Sequence, residues 1–357
     1  MTVDLAIAGA GPAGASAAIT AAERGLAVAL FERSGEDGGC GRDKVCGEFI
    51  SAEALPLLRR WLPELVAQAP EIQRVRLACG QGRAAAFALP QTARGLSRRR
   101  LDAALRSAAA AAGAVLYSRT AVARIERAGL SYRVSTATGE QYEAQQVIWA
   151  AGRQTAGGRS GWLGLKAHVA GLEQRPEVAL YALRGGYCGL APVEGGLTNL
   201  CCLLRMRRDL DLHEHDCLPR WLARLPGSAG LAARLNGAEQ VGATVVTAGI
   251  TLGARAAMGA GGWLQAGDAS GFVDPFTGDG IARALLSGHM AATMVADGLV
   301  CAYAGALHRA THAGWRTGRW LRAAVMAPGW VQAGLLPLLA HPAMASRLTA
   351  ATRWRTL

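Results

Sequence analysis

The apolar positions of this chain change their period as it opens. Val3 to Ala8 is a continuous apolar run, Pro12 to Arg24 is Ala-rich with helical spacing, and Ala27 to Glu32 is a second apolar run. That succession predicts a βαβ unit and the start of a parallel sheet. Ser34 to Lys44 is Gly-rich and charged and predicts a loop, and Ser51 to Val66 predicts a helix interrupted at Pro63. Arg74 to Cys79 and Arg83 to Leu89 predict short strands, and Arg98 to Ala112 a long Ala-rich helix. Strands follow near Ala114 to Ser118, Val122 to Arg127, Leu130 to Thr136 and Tyr142 to Ala150, with a hairpin turn at Thr138-Gly139-Glu140.

From Lys166 to Ile250 strand-like runs dominate, among them Glu177 to Leu183 and Leu197 to Arg205, with one helical segment around Leu218 to Leu235. A second, β-rich lobe is expected there, suited to enclosing a substrate. The chain then returns to the first lobe through Trp263 to Gly267 and a long helix from near Gly280. No internal repeat interrupts this plan.

Gly9-Ala10-Gly11-Pro12-Ala13-Gly14 matches GxGxxG at the junction of the first strand and helix. Glycines there permit a tight turn and bring backbone N–H groups at a helix N-terminus close to a pyrophosphate. Glu32 closes the second strand, followed by Arg33, where a carboxylate accepts hydrogen bonds from ribose hydroxyls. FAD and NAD both fit this segment alone.

A second segment discriminates between them. Trp263 to Asp268 is a strand ending in Gly267-Asp268, followed by Ala269-Ser270-Gly271-Phe272-Val273-Asp274-Pro275-Phe276-Thr277-Gly278-Asp279-Gly280-Ile281 and an Ala-rich helix. This pattern resembles the FAD-dependent superfamily of geranylgeranyl reductases, class A flavin monooxygenases and flavin halogenases. The resemblance implies an α/β fold: a Rossmann-like FAD-binding domain, an inserted β-rich substrate domain and a short helical C-terminus. It divides the chain into FAD-binding parts at 1–70, 98–165 and 253–310, substrate-domain parts at 71–97 and 166–252, and a C-terminal helical segment at 311–357.

By the same resemblance Gly9, Gly11, Pro12, Gly14, Glu32, Arg33, Arg98, Gly267, Asp268, Gly278, Gly280 and Ile281 bind FAD, with Asp268 on the ribityl chain and Pro275 beside the ring. Arg42-Asp43-Lys44-Val45-Cys46-Gly47-Glu48-Phe49-Ile50-Ser51 resembles the Cys-Gly-Glu region of the geranylgeranyl reductases. Lys44, Cys46, Glu48 and Pro275 are the catalytic candidates it yields. Ala151 stands where the hydroxylases carry the Asp of an Asp-Gly motif, a departure from their handling of NADPH. His168, Tyr187 and Phe276 are expected to face a substrate. His213-Glu214-His215-Asp216-Cys217 is a crowded cluster without the spaced partners of a metal site, so no metal is expected.

Composition narrows the classes. With 357 residues, 51% of them hydrophobic, the chain is long enough to bury a large core and exceeds one compact domain. A net charge of +12 suits phosphates, anionic membranes or nucleic acid, but no basic stripe interleaved with aromatics appears, and nucleic acid is not expected. Eight irregularly spaced cysteines without a CxxC pair suit a reducing compartment, so the cytoplasm is the expected location. Val325 to Ala345 is apolar but broken by Pro328, Pro337 and Pro342. The Trp-containing basic tail is expected to rest on a membrane surface, close over a greasy substrate, or pack on the sheet.

The reaction expected first is a monooxygenation of an aromatic or largely apolar small molecule with NAD(P)H and O2. The alternative is reduction of a carbon–carbon double bond in an isoprenoid-like substrate, and a lesser one a flavin-binding protein without turnover. NAD(P)H is the expected transient donor; the absence of a second GxGxxG fits both its transient binding and delivery of electrons by another protein.

Overall fold

The computed structural model describes residues 2–35, 43–79, 83–153, 161–206 and 217–354. The strand Thr2–Ala8 pairs in parallel with Val28–Glu32 on one side and Gln141–Trp149 on the other, and Val115–Ser118 and Leu264–Gln265 extend the parallel part of the sheet. Val122–Ala128 and Ser131–Thr136 add antiparallel strands beside Gln141–Trp149, joined to it through the predicted turn, where Gly139 takes a φ of 91°. The connection order reverses on either side of Thr2–Ala8, and the crevice beyond the carboxyl ends of the strands at such a point is where α/β sheets bind ligands.

Side chains of a strand alternate between faces, and here the two faces have separate jobs. Leu5, Ile7, Val28 and Leu30 pack beneath the helices Pro12–Glu23, Arg98–Ala111 and Gly280–Ala296. Ala6, Ala29 and Phe31 pack on the other face with Tyr132 and Val134.

An eight-stranded sheet forms the second lobe, in the order Glu239–Ile250, Trp162–Ala170, Thr198–Arg205, Gly186–Pro192, Glu177–Leu183, Glu71–Ala78, Ala84–Gly95 and Phe49–Ile50. Three expectations need adjustment. The strand predicted to end at Leu89 runs to Gly95, because the pairing shifts register between Ile72 and Arg74 and the irregularity admits Pro90. The helix expected around Leu218 to Leu235 is two, Leu218–Ala223 and Ala229–Arg234, separated by Gly227 at φ 83°. Boundaries at 165/166 and 310/311 fall inside the strand Trp162–Ala170 and the 23-residue helix Tyr303–Val325, so the C-terminal helical part is longer than the sequence implied. It continues as Gly329–Ala340 and Pro342–Thr352. No helix among the described residues is long and apolar enough to cross a membrane.

Candidate active site

The first glycine loop is set by backbone packing. Gly9 has a φ of 99°, and a Cβ there would lie 2.5 Å from the Ala150 carbonyl oxygen. A Cβ on Gly14 would lie 1.8 Å from the Gly9 carbonyl oxygen, so Gly14 serves the close approach of helix to strand and does not itself face the cavity. Gly11 differs, because a Cβ there would meet only Arg98 Nη2 at 3.8 Å. Its bareness leaves room for a ligand against the start of Pro12–Glu23, where neither a capping side chain nor an acidic residue competes for the N–H groups.

Glu32 is anchored by two donors: the Ala10 N–H reaches Oε2 at 3.0 Å and the Ser34 N–H reaches Oε1 at 2.9 Å. Burial pushes this carboxyl up, but those two N–H groups and Lys44 outweigh it and hold it below the ordinary value. It therefore stays an anionic acceptor whose remaining lone pairs point to the cavity it lines, beside Arg33.

The second segment meets the first from the far end of the chain. Gly267, at φ 62°, passes Ala13 so closely that a Cβ would lie 2.8 Å from its Cβ. A Cβ on Gly288 would lie 2.0 Å from the Ala13 carbonyl oxygen, and the Ser16 hydroxyl donates to the Leu285 carbonyl at 2.7 Å. Small residues thus let two helices, Pro12–Glu23 and Gly280–Ala296, bring their N-termini to one cavity. His289, on the second helix, bonds Thr20 at 2.9 Å and belongs to this contact.

Gly278 takes a φ of 68°, with the Phe49 ring 3.0 Å from where its Cβ would be, while Gly280 opens onto empty space. Asp268 lines the cavity, raised by burial and drawn back by Arg153, Arg98, Arg283 and Arg255.

Between these loops and the second lobe lies a buried charge cluster. Arg98 binds Asp102 through two hydrogen bonds of 2.8 and 2.9 Å, and Lys44 reaches the same carboxylate at 3.0 Å. Glu48 is fully buried with a φ of 55°, a strained backbone for a non-glycine residue that the surroundings must hold in place. They do so by a 2.9 Å hydrogen bond from the Arg98 N–H, a 2.6 Å contact to His168 Nε2 and a 3.1 Å ion pair with Lys166.

Cys46 Sγ accepts from the Glu48 N–H at 3.4 Å, and the Cys46 carbonyl accepts from Asn199. Asp43, Glu48 and His168 bring ligand atoms within 4.8 Å of one another. The Lys166 Nζ sits 2.6 Å from Asp43 and 3.1 Å from Glu48, so both carboxylates already have a cation beside them.

A single cavity of about 850 Å³ takes in both loops and this cluster. Its lining includes Gly9, Gly11, Pro12, Glu32, Arg33, Lys44, Cys46, Glu48, Arg98, Gly267, Asp268, Pro275, Gly278, Gly280 and Ile281, with Tyr187 and Phe276 of the substrate candidates. His168 is the exception: expected to face a substrate, it stands behind Glu48 and off the cavity wall, because its ring is committed to that carboxylate. Of the crowded cluster at 213–217, only Cys217 lies within the described residues.

Sequence reasoning assigned no role to three partners, Asp102, Arg153 and Arg353, and named Lys166 only in general terms, as opening the second lobe with His168. Arg153 stacks over the Phe272 ring at 4.8 Å, and Arg353 donates to the Thr277 carbonyl at 3.1 Å. Arg153 adjoins the Ala151-Gly152 departure noted above, a hint that was there to read.

The wall contributed by the eight-stranded sheet has another character. Val75, Leu77, Phe87, Leu89, Val178 and Leu180 line it, and none of its lining residues is charged. Tyr187 lies there edge-on to Phe276, centroids 5.3 Å apart. Its hydroxyl is buried without a hydrogen-bond partner among the described residues, and burial pushes its pKa well above the ordinary tyrosine value, so the proton stays on.

Residues 4–153 match the model of the family described as FAD dependent oxidoreductase. A digeranylgeranylglycerophospholipid reductase of Methanothrix thermoacetophila is 28% identical, with 83% of this chain and 78% of that protein covered. One of Methanothermobacter thermautotrophicus is also 28% identical, over 84% of this chain and 79% of its own length. In fold, the chain matches a geranylgeranyl bacteriochlorophyll reductase-like protein of Thermoplasma acidophilum with a TM-score of 0.77 and 18% identity, covering 98% of this chain and 95% of that one. The flavin-dependent brominase Bmp2 gives 0.77 and 19%, with 99% and 95% covered.

The residues present fit FAD: bare Gly11 and Gly280 at two uncapped helix starts, and the carboxylates Glu32 and Asp268 at separate stations along one cavity. Residues 4–153 thus match the FAD dependent oxidoreductase family, and over most of its length the chain is similar to the digeranylgeranylglycerophospholipid reductases.

Proposed function

We propose that this protein is a reductase that saturates carbon–carbon double bonds in a long, isoprenoid-like apolar substrate. The observation that carries the reading is the uncharged sheet wall, which among the described residues lines the same cavity as Cys46 and Glu48. A prenyl chain is hydrocarbon without hydrogen-bonding groups, and a wall of aliphatic and aromatic side chains is what such a chain buries against. The names of the relatives, reductases of a digeranylgeranylglycerophospholipid, agree with it, as does the Cys-Gly-Glu segment.

Bound FAD supplies the hydride chemistry, for which Gly11, Glu32, Asp268 and Gly280 are the holding residues. Saturation also takes one proton per double bond. Among the proton-bearing groups of the cavity lining are Lys44 Nζ, Tyr187 Oη and the thiols of Cys46, Cys201 and Cys202. Asp102 fixes Lys44, and the Glu48 N–H fixes Cys46, so both are oriented by buried partners. The Tyr187 hydroxyl, with no partner among the described residues, is placed to donate to a polar group of the substrate.

Anaerobic incubation of the chemically reduced flavoprotein with a geranylgeranyl lipid tests this. The expected product carries two added hydrogens per saturated bond, with one flavin reoxidised for each. Oxygen-dependent addition of one oxygen atom, with no anaerobic product, identifies the monooxygenase and overturns the proposal.

A further inference from the structure

The helix Gly329–Ala340 contains no charged residue, yet it lies at the surface. Trp330 is 76% exposed and Leu338 49%. Leu336 and Leu339 turn inward, and Leu339 reaches the cavity wall. A helix that is apolar all round is ordinarily covered, so this one calls for a partner outside the described fold. At about 1.5 Å per residue it extends roughly 18 Å, well short of the ~30 Å of a bilayer's hydrocarbon, so it can lie in an interface but not cross one.

Charge identifies that partner. Residues 301–357 contain seven arginines and no Asp or Glu. Arg316, Arg319 and Arg347 are exposed and make no ion pair among the described residues, and Trp320, 48% exposed, follows Arg319 directly. A second copy of the chain would bring these arginines against one another, a like-charge contact. An anionic lipid surface would instead match them, with indole rings at the headgroup level and guanidinium groups on phosphates.

We propose that Gly329–Ala340 is a membrane-interface helix that rests the protein on an anionic bilayer. Trp330 and Leu338 enter the acyl boundary, and Arg316, Arg319 and Arg347 meet the headgroups. Because Leu339 lines the cavity from the opposite side, the helix is then the partition between lipid and cavity. This proposal does not depend on the reaction proposed above, and its test reads binding alone.

The FAD-loaded protein is floated with vesicles of phosphatidylcholine alone and of phosphatidylcholine mixed equally with phosphatidylglycerol. It is expected to float with the mixed vesicles at least about fivefold better than with the neutral ones, and to detach as salt shortens the Debye length. The double variant Trp330→Ser/Leu338→Ser is expected to lower partition by about tenfold. Both side chains are exposed, so its flavin content and melting temperature stay at the wild-type values. Brominated phosphatidylcholine in the mixed vesicles is expected to quench the emission of the wild type more than that of Trp330→Phe. Absence of binding to the mixed vesicles, equal partition of the double variant, or equal quenching would overturn the proposal. So would a dimer in solution that the double variant dissolves, since the face would then belong to a second copy.

Discussion

The two walls of the cavity are built by opposite means. The cofactor-facing wall is backbone and charge: bare glycines, uncapped helix starts, and carboxylates anchored by N–H groups or guanidinium partners. The sheet-facing wall is uncharged and mostly apolar, with the thiols of Cys201 and Cys202, the Thr247 side chain and a Tyr187 hydroxyl without a partner among the described residues. The first kind of wall tolerates little change in shape at Gly9 and at Gly14 behind it, where a single Cβ meets backbone. The second tolerates changes of shape but not of polarity, because its whole affinity comes from removing apolar surface from water.

The largest effect that sharpens this contrast is expected on the backbone side. Gly14→Val puts side-chain atoms where 1.8 Å separates even a Cβ from the Gly9 carbonyl. It is expected to cost more than about 3 kcal/mol and to yield protein without visible flavin absorption. Retention of full flavin content in this variant would break the account of the loop.

Glu48→Gln comes next. Removing one charge from a fully buried group that faces Lys166 and His168 is expected to destabilise by about 3–5 kcal/mol, read as the denaturant midpoint. A change within error would mean that the cluster is already solvated.

On the apolar side the effects are smaller and fall on function. Tyr187→Phe removes a buried hydroxyl without a partner among the described residues. Stability is expected to hold or rise by about 1 kcal/mol, flavin to stay bound, and turnover of a lipid with a polar group to fall. Loss of stability would instead give the hydroxyl a structural partner.

The smallest effect is a pH dependence. Burial pushes the Asp279 carboxyl up to about 7, with Arg353 and Arg283 pulling it back. The unfolded chain releases this proton near pH 4, roughly the ordinary carboxylate value. Between about pH 4 and 7 the folded state holds more protons than the unfolded one, so this group's contribution falls as pH rises through that window. Asp279→Asn is expected to leave the melting temperature unchanged near the acid end and raise it by about 3 °C at slightly alkaline pH. An equal shift at both ends would place the effect elsewhere.

The contrast between the walls also explains what the sequence made legible. Gly9, Gly11, Gly14 and the Gly267 to Gly280 segment could be read because each requirement is local: a turn, a close approach, a helix start. The parallel sheet and the β-rich second lobe followed from periodicity for the same reason. His168 was expected to face a substrate and instead binds Glu48, because a strand position next to a cavity does not disclose which neighbour claims the ring. Lys166 could not be tied to Asp43, 123 residues away, nor Asp102 to Lys44, 58 residues away, since no spacing records such pairs, whereas Arg98 and Asp102 are an i,i+4 pair that helix spacing offers. Arg353 gave no signal at all; it reaches Thr277 and Asp279 only because Pro342–Thr352 folds back over the site. The mostly apolar wall was equally hidden, being assembled from alternate residues of several strands.

The most direct measurement is a titration of the oxidised flavoprotein with a geranylgeranyl lipid, followed by its visible flavin spectrum, in the wild type and in Leu180→Glu. A saturable spectral shift in the wild type, lost in a variant that keeps its flavin, is the result expected if hydrocarbon and cofactor share one cavity. A wild type whose spectrum ignores the lipid, or a variant that responds equally, would contradict it.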